Sequence, residues 1–172
     1  MENQLLGLIA YTVPTIVTGL IAYYFFNLHT KNEEKRRTYL LHRDALKNTL
    51  PIRLQAYERM SLFLERINLA NLLVRVSPTS SDKNSYEAEL IRSIETEFEH
   101  NLSQQIYMSD ECWNIIKAAK NATIQIVRKT VMNEKVTSAN KLRETLLSDL
   151  LDKQSPSNAA LSYIKKEVSD LW

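Results

Sequence analysis

Glu97 and His100 are the two side chains of this sequence whose spacing could support metal chemistry. They form a Glu-x-x-His pair within the string EFEH, and residues three positions apart on a helix share one face. Di-iron helical bundles use two such pairs together with two further carboxylates. The other two histidines follow aromatic residues at that spacing, so one chain supplies a single pair. We therefore expect no metal and no other cofactor, and a metal-dependent enzyme using Glu97 and His100 is the less favoured alternative.

Cys112 is the single cysteine of the chain and the second candidate for chemistry. It follows Ser109, a residue expected to cap a helix, and the positive end of the helix macrodipole favours a thiolate in the first turn. The alternative is a small buried side chain beside Trp113. We favour the buried side chain and predict no catalytic residue. A lone cysteine also fits a reducing compartment, because it cannot form an internal disulfide.

Glycine content and net charge exclude several other classes of function. The two glycines, Gly7 and Gly19, both lie before residue 30, so the rest of the sequence contains no Gly-rich phosphate loop and no nucleophile elbow. Lys and Arg together number 22 and Asp and Glu number 20, which gives a net charge of +2. No nucleic-acid partner is therefore expected, and no small-molecule substrate is indicated.

The sequence after residue 30 is typical of an all-α protein, since it is rich in Leu, Glu, Lys, Arg and Ala. Apolar residues recur every three or four positions in PIRLQAYERMSLFLERINLANLLVRV, which predicts the helix with the strongest core-facing stripe. That stripe begins with Ile52, Ala56, Met60, Phe63 and Ile67. We expect these residues and the region of Trp113 either to form the core or to contact a partner.

Capping residues predict where other helices begin. One helix is expected to follow the loop SPTSSDKN and to continue to about residue 108, and Pro51 should bend or restart the helix that precedes it. The residues expected at helix starts are Asp82 or Ser85, Ser109, and Ser155 with Pro156. The pattern predicts four to six helices arranged as a bundle or a long helical hairpin.

The first 30 residues are dominated by the apolar run LLGLIAYTVPTIVTGLIAYYFFNL. This run extends from Leu5 to Leu28 without a charge, and as a helix it would be roughly 36 Å long, enough to cross a hydrocarbon layer of about 30 Å. We predict one N-terminal transmembrane helix, and a core helix is the less favoured alternative. Its expected features are a start at Leu5, a kink at Pro14, a small residue for close helix approach at Gly19, and interfacial aromatic residues from Tyr23 to Phe26.

A cluster of basic residues follows the apolar run directly and consists of Lys31, Lys35, Arg36 and Arg37. An excess of Lys and Arg marks the cytoplasmic side of a span, which places the N-terminus outside. The predicted organisation is an anchor over 1–30 that contacts membrane lipid, a cytoplasmic helical domain over 31–135, and a helical pair or docking arm over 136–172.

Two strings carry a resemblance to a known family, namely PIRLQAYERMSLFLERIN and IETEFEHNLSQQIYMSDECW. They resemble those of an uncharacterised family of short, N-terminally anchored bacterial proteins, known as a domain of unknown function. The resemblance implies an anchored helical fold at the bacterial cytoplasmic membrane. It transfers no catalytic residue.

The function predicted from these features is that of a single-pass, membrane-anchored helical scaffold or accessory subunit. It would bind a protein partner or associate with further copies of itself at the cytoplasmic face, because several of its helices have apolar faces too regular to remain in water. The alternative is a module that binds lipid surfaces, for which the basic cluster would supply electrostatic attraction.

Overall fold

The regular structure of the chain is helical. The computed structural model describes residues 2–152 and 155–171, and no β-strand occurs within those ranges. The helices are α1 (Glu2–Ile67), α2 (Leu69–Arg75), α3 (Lys83–Glu99), α4 (Asp110–Val131), α5 (Ala139–Asp152) and α6 (Pro156–Ser169), with a 3-10 helix at Leu102–Tyr107. The all-α prediction is confirmed.

The predicted transmembrane helix is wrong. In the part of the chain that the structure describes, no helix combines the length and the apolar character needed to cross a membrane. The prediction weighed the charge-free length from Leu5 to Leu28, but four threonines, two tyrosines, Asn27 and His29 are interspersed with the apolar residues between positions 12 and 30. Over positions 12–30 those polar groups lower the mean hydropathy below that of a spanning helix.

The assignments that depended on the span are wrong with it. They include the N-out orientation and the single-pass location in a bacterial cytoplasmic membrane, because both presuppose a segment that crosses the bilayer. The residues concerned are Leu5, Pro14, Gly19, Tyr23 and Phe26 of the predicted span, and Lys31, Lys35, Arg36 and Arg37 beside it.

Helix α1 continues through Pro14 and Pro51, where a kink and a bend or restart were expected. A proline removes only its own N–H donor, and the neighbouring turns stay paired. Threonine side chains add bonds near both positions, since the hydroxyl of Thr18 donates to the carbonyl of Pro14 over 2.8 Å and that of Thr49 donates to the carbonyl of Ala45 over 2.9 Å.

The chain divides into two compact units, Met1–Thr49 and Leu50–Trp172, rather than at positions 30 and 135. The described residues of the first unit, 2–49, all belong to α1. Its described side chains, at positions 12–45 and 47–49, are all exposed. These described side chains therefore contribute surface rather than core.

The second unit contains the hydrophobic core. Helix α4 contacts α3, α5 and α6, and α5 also contacts α2 and α3. The core includes the fully buried side chains of Met60, Phe63, Leu73, Leu90, Ile94, Ile116, Val127, Leu142 and Leu146. The last two helices are part of this core, since Leu142 and Leu146 of α5 and Ala160 and Ile164 of α6 are buried. They pack on the main domain and do not form a separate arm.

Local capping sets the helix ends in this unit. The predicted caps Asp82 and Ser109 are confirmed, because the Asp82 carboxylate accepts the backbone N–H groups of Asn84 and Ser85 and the Ser109 hydroxyl accepts that of Cys112. The predicted helix up to residue 108 is too long, since α3 ends at Glu99 and the 3-10 helix follows. Asn68 separates α1 from α2, and its side chain accepts the N–H of Ala70.

Candidate functional site

An exposed apolar surface covers the part of α1 between Val13 and Leu28, named here the apolar segment. Ten large hydrophobic side chains in this segment are exposed by 45% or more. They are Val13, Ile16, Val17, Leu20, Ile21, Tyr23, Tyr24, Phe25, Phe26 and Leu28. Soluble monomers rarely leave so large a contiguous apolar surface in water, and such surfaces mark interaction sites.

The four consecutive aromatic residues of the segment are its most exposed part. Tyr23, Tyr24, Phe25 and Phe26 are exposed by 71%, 66%, 68% and 76%. Because successive residues on a helix point about 100° apart, the four rings project around the whole circumference of α1. The apolar segment is thus not a single stripe, and one flat partner surface would leave part of it uncovered.

Gly19 lies within the apolar segment and has open space around it. A methyl group built on its α-carbon would meet nothing within 4 Å. The basic residues Lys31, Lys35, Arg36 and Arg37 follow on the same helix and are exposed. Arg36 pairs with Glu33 over 3.6 Å, an exposed pair one helical turn apart that adds little to stability.

The predicted contact stripe lies mostly in the core. Ala56, Met60, Phe63 and Ile67 are at most 1% exposed, whereas Ile52 is 47% exposed. Four of the five residues are therefore occupied by the fold itself and are not available to a partner.

Trp113 is also enclosed by the core. Its ring stacks on that of Phe98 with 5.2 Å between centroids, and Phe98 in turn contacts Phe63 at 5.6 Å. The ammonium group of Lys120 lies 4.7 Å from the centre of the Phe98 ring and 2.7 Å from a carboxylate oxygen of Glu95. This cluster joins α1, α3 and α4 within the second unit.

The Glu97 carboxylate pairs with two arginine side chains and does not form the candidate metal-binding pair with His100. Its carboxylate lies 3.0 Å from Arg66 and 3.9 Å from Arg75. His100 is exposed and ends α3 as its C-cap. Among the side chains that the structure describes, no three from His, Cys, Asp and Glu are grouped closely enough to hold a metal ion.

The Cys112 thiol is fully buried, and burial raises its pKa from 9.0 to about 12 with a further contribution from the neighbouring Glu167 carboxylate. The helix macrodipole favours the thiolate, but the loss of water around the sulfur and the nearby negative charge outweigh it. At neutral pH the sulfur is therefore a protonated thiol and a poor nucleophile.

A half-buried polar cluster around Glu167 joins α1, α4 and α6. One carboxylate oxygen of Glu167 accepts the hydroxyl of Tyr57 over 2.8 Å and the backbone N–H of Ser109 over 3.1 Å. Arg53 completes the cluster, since its Nε donates to the Tyr107 carbonyl over 3.1 Å and its Nη2 donates to the Tyr57 hydroxyl over 3.4 Å.

The pKa values within this cluster follow from burial and hydrogen bonding. Burial opposes ionisation of Glu167, but hydrogen bonds from Cys112, Tyr57 and Ser109 outweigh it and lower the pKa of the carboxyl. Burial and the Glu167 carboxylate raise the pKa of Tyr57 to about 12. At neutral pH the Glu167 carboxylate is therefore ionised and accepts hydrogen bonds from neutral donors. Such charge-assisted hydrogen bonds stabilise the packing of the helices that they join.

Sequence reasoning missed the Glu167 cluster. Tyr57 and Glu167 are separated by 110 positions, and neither belongs to a short motif. The half-apolar surroundings of Glu167 in α6 are the local signal that could have distinguished it from exposed glutamates of the chain.

Comparison with known proteins returned one family. A profile of the Family of unknown function (DUF7935) matches residues 3–171. No curated protein and no solved structure matches the chain. The expected resemblance to an uncharacterised family is confirmed over nearly the full sequence.

Proposed function

Because the chain belongs to this family of unknown function, we propose its function from the geometry. The protein is a helical scaffold that assembles with further copies of itself through the apolar segment of α1. The observation that carries the proposal is the exposure of ten large apolar side chains between Val13 and Leu28. The two strings of the sequence also imply a bacterial protein, and this stays a prediction.

The area of the apolar segment is sufficient for a stable interface. Side chains of these types exposed to this extent offer about 100 Å² each, so ten of them offer on the order of 1,000 Å². A standard interface buries about 800 Å² per partner. Because these side chains surround α1, the full area is buried only when neighbouring helices contact the segment from more than one side.

Further copies of the chain are suitable partners for this surface. No charged residue lies between Val13 and Leu28, so helices packed side by side bring no like charges together. Val13, Val17, Leu20 and Tyr24 follow the four-three-four spacing of a coiled-coil seam. Since apolar side chains also cover the other sides of the helix, association of more than two copies buries more of them than a dimer does.

The decisive experiment compares two leucines of α1. Leu20 lies in the apolar segment and is 63% exposed, and Leu41 lies outside it and is 67% exposed. Sedimentation equilibrium of the full chain should show a multimer for the wild type. Leu20→Lys should weaken association about 100-fold or more, because it places an ammonium group in an apolar contact. Leu41→Lys is the matched control and should leave the mass distribution unchanged.

Circular dichroism of the same samples should show unchanged helix content for both variants, since neither leucine is buried in the chain. A monomeric wild type, or equal effects of the two substitutions, would refute self-assembly through this segment. A chain that stays monomeric and co-sediments with phosphatidylcholine vesicles would refute it as well, and would assign the apolar segment to lipid.

A further inference from the structure

A cavity of about 340 Å³ opens between α2, α4, α5 and the start of α6. It lies within the second unit, and this volume is at the lower end of the range of about 300–1,000 Å³ for small-molecule sites. Its apolar wall is formed by Leu69, Ile126, Leu146 and Pro156. Leu69 and Leu146 are fully buried, so this wall is part of the folded core.

Two threonine hydroxyl groups beside the cavity have already donated their hydrogens. Thr130 donates to the carbonyl of Ile126 over 2.9 Å, and Thr145 donates to the carbonyl of Lys141 over 2.8 Å. These oxygens can still accept a hydrogen bond, but they cannot supply one to an anion.

Donors for an anion lie on the α4 side of the cavity. Lys129 is in the last turn of α4, and Asn133 follows it by four positions. The Asn133 carbonyl oxygen accepts the backbone N–H of Lys135 over 3.1 Å, which leaves its NH₂ group to donate. Within the described chain, the Lys129 ammonium forms no ion pair.

Acceptors for a cation lie on the α5 side. Asp149 follows Thr145 by one helical turn, and both line the cavity. The Asp149 carboxylate likewise has no ion-pair partner among the described residues. One side of the cavity thus offers an ammonium and an amide donor, and the other offers a carboxylate and a hydroxyl acceptor.

We propose that this cavity binds a small zwitterion with an apolar side chain, of the chemical class of an apolar α-amino acid. The carboxylate of the ligand is held by Lys129 and Asn133, and its ammonium group by Asp149 and Thr145. Its side chain lies against Ile126, Leu150 and Pro156, the apolar lining residues that are partly exposed. This binding does not depend on assembly through the apolar segment of α1.

The test is calorimetric titration of the full chain with three probes. L-Leucine carries both charges, N-acetyl-L-leucine lacks the ammonium, and L-leucinamide lacks the carboxylate. L-Leucine should bind saturably. Each derivative should bind at least about tenfold more weakly than L-leucine, because it lacks one charge-assisted hydrogen bond. No saturable heat with L-leucine up to about 10 mM, or equal binding of the three probes, would overturn the proposal.

Two variants assign each charge to its residue. Lys129→Met should weaken L-leucine about tenfold and leave the weak binding of L-leucinamide unchanged, whereas Asp149→Asn should weaken L-leucine and leave N-acetyl-L-leucine unchanged. Lys117→Met and Glu134→Gln are controls outside the cavity lining and should leave the affinity for L-leucine unaltered. If both cavity variants bind L-leucine as the wild type does, the site assignment is wrong.

Discussion

Substitution of Glu167 by alanine should destabilise the second unit much more than its partly exposed position suggests. The substitution leaves the Tyr57 hydroxyl and the Ser109 N–H without their shared acceptor, which now lies 2.8 and 3.1 Å from them. A hydrogen bond to a charged group contributes about 1.5–3 kcal/mol when buried. Two such bonds contribute about 3–6 kcal/mol together. Because Glu167 is only half-buried, we expect a smaller loss of about 2–4 kcal/mol.

Urea and thermal unfolding followed by circular dichroism measure this loss. For a unit of this size each kcal/mol corresponds to about 3–5 °C in Tm, so the midpoint should fall by roughly 10 °C. Glu144→Ala is the matched control, since its carboxylate forms only an exposed pair with Lys141 at 3.0 Å, and it should cost less than about 0.5 kcal/mol.

The pH dependence provides a second readout. The pKa of Glu167 is lowered from its ordinary value of 4.5 in the folded protein, so its contribution is present above pH 4.5 and is lost as pH falls through the folded pKa. The difference between wild type and Glu167→Ala should therefore shrink in acid. A double-mutant cycle with Tyr57→Phe should give a coupling above about 1 kcal/mol. Additive single effects, or a loss no larger than that of the control, would refute the proposed role of the cluster.

Three other perturbations have defined outcomes. Met60→Ala should cost about 2–5 kcal/mol in urea unfolding because Met60 is fully buried, whereas Leu62→Ala on the same helix should cost far less because Leu62 is 57% exposed. The free energy of unfolding should fall in alkali, since the pKa of Cys112 is raised from 9.0 to about 12. The contribution of the protonated thiol to stability is complete below pH 9.0 and is lost as pH rises through about 12. Unfolding curves measured at a series of pH values would show this loss. Under native conditions Cys112 should react with a thiol reagent only as fast as the protein opens, and rapid labelling in the absence of denaturant would contradict its burial.

Local features of this fold could be predicted from the sequence. The core position of Met60 and Phe63 agrees with their spacing of three, since that spacing alone puts both on one face of a helix. Asp82 and Ser109 could be identified as caps because a cap is set by the residues that directly follow it. The break at Asn68 was missed, since the apolar stripe continues across it without a change of spacing.

Features that depend on distant parts of the chain could not be predicted in this way. The Glu167 cluster needs α6 to lie beside α1, which no local pattern specifies. The transmembrane prediction failed for another reason. It counted the charge-free length after Leu5 and gave too little weight to the hydroxyl, amide and imidazole groups at positions 12–30. The candidate cavity also draws its walls from four helices, and none of its residues forms a recognisable motif.

The hydrogen bond between Tyr57 and Glu167 has a consequence for synthesis of the chain. It joins residues 110 positions apart, whereas α3 contacts α4, and α4 contacts α5 and α6, over much shorter separations. Contacts between neighbouring helices form early because they require little loop closure, and distant contacts form late. The stripe of α1 that contains Met60 and Phe63 emerges long before Glu167 is made. Phe98 of α3 can therefore cover Phe63 at an early stage, whereas the Tyr57 hydroxyl lacks its acceptor until Glu167 has left the ribosome.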